Sequence, residues 1–154
     1  MRISDKTGSR RSKGHAVIEL SCSAFLLLVF TILTSDVCIV IFGAYQNDQA
    51  CRDAARAAAQ GQDQTQSTKL AIAALKAHAG DGYYFSNPAI QGIVTYIAYG
   101  GSPPPNRSPF VQLTTSTVAR MPFAPLQFAN GPIFVKNGTV TFTQSYAFPI
   151  VRTK

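Results

Sequence analysis

The residues best placed to do chemistry lie near the N-terminus. Gly14 follows the basic run Arg10, Arg11 and Lys13, and Glu19 stands five residues later in an otherwise apolar stretch. A carboxylate is costly to hold in lipid, so one in such a stretch is expected close to a membrane interface or paired with a cation. Elsewhere, residue types that serve catalysis lack the partners they need. His15 and His78 are the only histidines, and neither belongs to a set that would ligate a metal or act as a base. The chain shows no glycine-rich phosphate loop, no HExxH and no activated serine or cysteine arrangement. Asp63 and Asp81 stand alone in polar turns, where a solvated role is expected. Asn106-Arg107-Ser108 and Asn137-Gly138-Thr139 match the glycan acceptor pattern, a short match that recurs by chance, and no glycan is assigned. The expectation is a protein with no enzymatic activity, cofactor or metal.

The elements that position these residues follow from charge and hydropathy. The formal net charge is +7, unevenly placed. Before Gly14, five Lys and Arg face only Asp5, a net +4, whereas the nine basic and six acidic residues after it are scattered singly. Nucleic-acid binding would need a folded basic face or interleaved aromatics, and the leader has neither, so no nucleic acid is expected as a partner. Lys and Arg beside a long apolar segment resist translocation and hold that end in the cytoplasm. From Ala16 to Ala44 the chain is apolar almost throughout, interrupted by Glu19, small hydroxyl residues and Asp36. As a helix this stretch would run roughly 43 Å, more than the ~30 Å hydrocarbon core. With Ala16 to Ser35 spanning the bilayer, Glu19 and Asp36 fall near opposite interfaces.

The helix is expected to continue to about Gln60 through the alanine-rich stretch that starts at Tyr45, since no proline stops it and Gly61 is a natural end signal. A polar link then leads to a second helix near Ser67 to Ala79, with Leu70, Ala71, Ala74, Leu75 and His78 on one face. After Gly82 come short β-branched and aromatic runs separated by Gly, Pro and Asn. Strands are predicted near Gln91 to Tyr99, Val111 to Val118, Ile133 to Lys136 and Thr139 to Tyr146, the last two joined by a type I′ turn at Asn137-Gly138. Tyr83, Tyr84, Phe85, Tyr96 and Tyr99 are expected mostly in the sheet core. The three cysteines make no disulfide framework. On one straight helix Cys38 and Cys51 would be about 20 Å apart, so Cys22, Cys38 and Cys51 are read as packing residues, with an intermolecular Cys51 bridge as the alternative. The fold class is thus α+β: a long N-terminal transmembrane helix continuing into a small external domain with a second helix and an antiparallel sheet.

The stretch RRSKGHAVIELSCSAFLLLVF resembles the processing site of type IV pilins and pseudopilins. The order of long apolar segment, NDQACRDAARAAA and terminal VTFTQSYAFPIV strand is similar to the TadE-like pseudopilins of tight-adherence (Tad) pilus systems. Leu20 follows the glutamate, where chains of that family commonly carry an aromatic. The resemblance implies residues 1–14 as a basic cytoplasmic leader, 15–44 as the transmembrane helix and 45–154 as an external pilin-like domain. It further implies that a prepilin peptidase cuts between Gly14 and His15. Glycine suits such a cut because it presents no side chain and permits an extended backbone. The new α-amino group on His15, with an ordinary pKa near 7.7–8, would be largely protonated at neutral pH. In the pilin family the glutamate pairs with that amine on a neighbouring subunit, which would make Glu19 the assembly residue, with small Ser21, Ser23 and Ala24 allowing close helix approach.

Expected partners are therefore the prepilin peptidase, other pilin or pseudopilin subunits, the Tad assembly machinery and membrane lipid. The expected location is the bacterial inner membrane, N-terminus cytoplasmic and C-terminus external. Two other readings compete with this one. An unprocessed signal-anchor protein with an external binding domain would make Gly14 and Glu19 coincidental. A secreted domain behind a signal peptide fits less well, since the apolar stretch outruns the 7 to 15 residues of a signal core.

Overall fold

A computed structural model describes residues 9–99, 104–122 and 138–150, with side chains from residue 14 onward. The fold is α+β, and the chain divides into two compact units, Met1–Ser35 and Asp36–Lys154. Helix α1 covers Ser9–Ala58. It begins inside the basic leader, which composition alone assigns to disordered or transient structure, because Arg and Lys are good helix formers and join a helix already propagating beyond them. It ends two residues earlier than predicted, where Gln60 and Gly61 donate to the carbonyls of Ala57 and Ala58 in i→i−3 bonds that tighten the last turn.

Helix α2 covers Gln64–Lys76, starting within what the sequence suggests is a link. Asp63 is its N-cap, its carboxylate accepting from the Gln66 N–H at 2.7 Å, while Gln66 Oε1 accepts from the Gln62 N–H at 2.9 Å. Asp63 is exposed, as expected, but not isolated. Asp63 and Gln66 have the spacing of a capping box, a signal present in the sequence and overlooked there. The predicted inner face holds: Ala71 and Leu75 are buried, and Leu70, Ala74 and His78 half-buried.

Strand β3, Phe110–Arg120, is the centre of the sheet, and β4, Thr139–Pro149, pairs antiparallel along its whole length, from Phe110 against Pro149 to Arg120 against Thr139. On the other edge of β3 lie β1, Ala89–Ile90, opposite Thr115–Ser116, and β2, Thr95–Ile97, opposite Phe110–Gln112. The single strand predicted from Gln91 to Tyr99 is therefore a correction: the chain leaves the ladder between Ile90 and Thr95, turning at Gly92 with φ +83°. Only glycine takes that backbone freely. The predicted Ile133–Lys136 strand and Asn137 of the turn lie outside the described residues, although Gly138 has the positive φ of 73° that such a turn requires.

Alternation along β3 puts Val111, Leu113, Thr115, Thr117 and Ala119 on one buried face. The Asp36–Ala58 part of α1 covers that face with a stripe of small or short residues. Ala50, Cys51, Ala54, Ala55 and Ala58 are fully buried and share a core with Val111, Leu113, Ala71 and Leu75. Small side chains let a helix backbone approach a sheet closely, and Gly43 is the extreme case. A Cβ there would fall 2.9 Å from the Phe85 ring and 3.2 Å from the Phe142 ring.

Candidate functional site

Gly14, His15 and Glu19 all lie on α1, and all are exposed. Nothing stands within 4 Å of a Cβ built on Gly14. His15 and Glu19 are four apart and so share a helix face. Among the described residues neither has a hydrogen bond or ion pair. Around them Val17, Phe25, Leu27 and Phe30 are 63–69% exposed, a degree that a water-facing helix would not tolerate along a continuous run. The stretch beginning at Gly14 is long and apolar enough to cross a membrane. Three of its hydroxyls suit that setting: Thr31, Thr34 and Ser35 donate to the carbonyls four residues back at 2.7–2.9 Å, so these donors need no partner from outside the helix.

In the Asp36–Lys154 unit, α1 is fastened to the sheet by polar contacts that sequence inspection does not single out. Asn47 is completely buried. Its Oδ1 accepts from Thr115 Oγ1 at 3.1 Å and Thr117 Oγ1 at 3.0 Å, and its Nδ2 donates to the Phe142 carbonyl at 3.4 Å. One turn on, buried Cys51 directs its thiol toward the Gln144 carbonyl at 3.3 Å, which removes it as a bridge to another chain. Cys22 and Cys38 are free and exposed. On the flank of the same helix, the Tyr146 hydroxyl donates to Asp48 at 2.6 Å, and Arg52 binds both the Tyr146 oxygen and the Asp48 carboxylate at 2.9 Å. The Tyr146 hydrogen bond, aided by Asp48, pushes the Arg52 pKa up.

Other expectations for single residues change. Asp36, placed by composition at the outer interface, is fully buried, and neither carboxylate oxygen has a hydrogen-bond partner. It stands two turns before Gly43, on the same face of α1. His78 does have a partner: its Nε2 lies 3.0 Å from Asp53 Oδ2, linking the chain just past α2 to α1. Of the aromatics, Phe85 is buried, Tyr84, Tyr96 and Tyr99 are half-buried, and Tyr83 is 70% exposed. The Tyr96 hydroxyl is shared between the Gly61 and Gln62 carbonyls at 3.2 and 2.9 Å, tying β2 to the connection between the helices.

Asp81 is exposed, as expected, and also organises its turn. Its Oδ1 accepts from the backbone N–H groups of Tyr83, Tyr84 and Phe85 at 3.0, 2.8 and 2.9 Å. These bonds, that from Phe85 foremost, hold the carboxyl below its ordinary value. A depressed folded pKa means that the turn is supported above the ordinary carboxylate value of about 3.9 and loses that support as pH falls through the lower folded value. The amide resonances of Tyr83 to Phe85 should thus titrate together below about pH 3.9, and stay flat in Asp81→Ala. Titration at or above that value would contradict this account.

Among the described residues no group of three His, Cys, Asp or Glu side chains is placed to hold a metal. Comparison of the chain with protein families, with curated proteins and with solved structures found no match. The candidate site is therefore the one the chain itself supplies: Gly14, His15 and Glu19 at the head of an apolar helix.

Proposed function

We propose that the protein is a minor pilin or pseudopilin that takes part in assembly of a Tad-type pilus after prepilin peptidase cleavage between Gly14 and His15. The observation that carries the reading is Glu19. It is the only charged residue between Gly14 and Ser35, it is exposed on α1, and it lacks a partner among the described residues. It lies one helical turn from the position where cleavage would create an amine. An unpaired carboxylate in an apolar face is retained at a cost, and a cation from a neighbouring subunit would offset it. In this reading α1 anchors the chain in the bacterial inner membrane with the leader cytoplasmic and the Asp36–Lys154 unit outside, and neighbouring subunits pack through the apolar helix.

The test is the intact mass and N-terminal sequence of the full chain extracted from membranes, with and without a co-expressed prepilin peptidase. A mature chain starting at His15 only when the peptidase is present is the expected result. Glu19→Ala should still be cut but should enter filaments at least about tenfold less, because the incoming amine then lacks its counter-charge. A chain that keeps Met1 under both conditions sinks the proposal and supports the unprocessed signal-anchor alternative. A chain starting after Ala44 would mean a secreted domain.

A further inference from the structure

The Asp36–Lys154 unit contains a cavity of about 680 Å³ between α2 and the stretch from Asn87 to Val94. Its walls are aliphatic, with Ile72 and Leu75 from the helix facing Ile90 and Ile93. Two of these are costly to leave in water, since Ile72 is 44% and Ile93 82% exposed. No aromatic ring lines the cavity. Lys76 is its only charged residue and has no ion pair among the described residues. Asn87 also lines it; its Oδ1 accepts from the Gly80 N–H at 2.9 Å, which leaves the Asn87 NH₂ group as a donor for an occupant.

We propose that this cavity binds a long-chain carboxylate, with the acyl chain between Ile72 and Ile93 and the carboxylate at Lys76 and Asn87. The volume is within the range of small-molecule sites, roughly 300–1,000 Å³, and aliphatic walls with a few convergent polar groups are what such sites present. One cation and one amide donor match a single carboxylate. A phosphate or nucleotide would leave further charge against apolar wall. A flat aromatic acid would find no ring to stack on. An added peptide strand would find little edge to pair with, because β1 and β2 are two and three residues long and the chain between them bends away at Gly92.

The test uses the full chain in phosphatidylcholine nanodiscs, exposed to a photoreactive palmitic acid and to its methyl ester, with adducts mapped by mass spectrometry. The apolar part of α1 serves as an internal reference for labelling from the bilayer. The acid should label the 70–79 and 87–94 segments in addition to α1, and the ester α1 alone. Lys76→Glu and Ile93→Asp both change exposed side chains and should fold normally, which circular dichroism checks. Each should lower labelling of the cavity by about tenfold, consistent with the loss of a charge-assisted contact or of apolar wall, without changing that of α1. Adducts confined to α1, equal cavity labelling by acid and ester, or cavity labelling that survives Lys76→Glu would each overturn the proposal.

Discussion

Replacing Asn47 with alanine is expected to lower the free energy of unfolding by about 3 kcal/mol. The physical reason is the number of groups that Asn47 satisfies at once. Its amide receives two threonine hydroxyls from β3 and donates to a backbone carbonyl of β4, all within the buried interface between α1 and the sheet. Truncation leaves Thr115 and Thr117, both fully buried, to find other acceptors, and opens a small void beside them. Gln49→Ala, two residues along on the exposed side of the same helix, should change stability by less than about 0.5 kcal/mol. Thermal unfolding of the full chain in mild detergent, followed by near-ultraviolet circular dichroism, compares the two. Equal midpoints for the two variants would mean that the Asn47 network contributes nothing to holding the helix on the sheet.

Gly61→Ala should destabilise the protein by about 2–3 kcal/mol, against the usual sign for a glycine-to-alanine change. A Cβ at Gly61 would lie 2.6 Å from the Ser67 backbone nitrogen and 2.7 Å from its Cα. Those atoms belong to the first turns of α2 and cannot rotate away as a side chain could. The connection would have to open, straining the Tyr96 hydrogen bonds to the Gly61 and Gln62 carbonyls. Ser67→Ala alone should be nearly neutral, because the buried Ser67 hydroxyl has no hydrogen-bond partner. In the double variant it should fail to rescue Gly61→Ala, since the obstruction is backbone. Full rescue would show that only the hydroxyl is in the way, and the close approach of the two helices would need another explanation.

Gly61 shows how a residue can be read correctly for an incomplete reason. As a sequence signal it marks the end of a helix, and the helix does end near it. Its necessity comes from Ser67, which reaches it only once α2 folds back. Asn47 had no sequence signal, because a polar residue within an alanine-rich helix reads as solvent-facing until a sheet with two inward threonines is laid on it. A hint was present in the alternation of β3, where Val111 and Leu113 are followed at the same spacing by Thr115 and Thr117. Asp81 and Asp63 are exposed, as their setting in polar turns suggests, but the backbone amides they bind carry no mark in the sequence. The cavity beside Lys76 was likewise invisible, since it joins residues of α2 to a strand-and-turn segment some ten to twenty residues later.

By itself the sequence determined the α+β class, the long apolar helix, the inner face of α2 and the strands β3 and β4. Each depends on the spacing of apolar and β-branched residues along one segment, and local backbone geometry enforces that spacing. The order of Gly14, His15 and Glu19 was legible for the same reason, and the role proposed for them depends on other molecules more than on this fold. Only the tertiary structure decided that β1 and β2 are separate strands on one edge of β3, that Asp36 and Cys51 are buried, and that Asn47 fastens α1 to the sheet. Those outcomes depend on which surfaces meet. Periodicity along a chain says which face of an element is buried, and only the packed partner says against what.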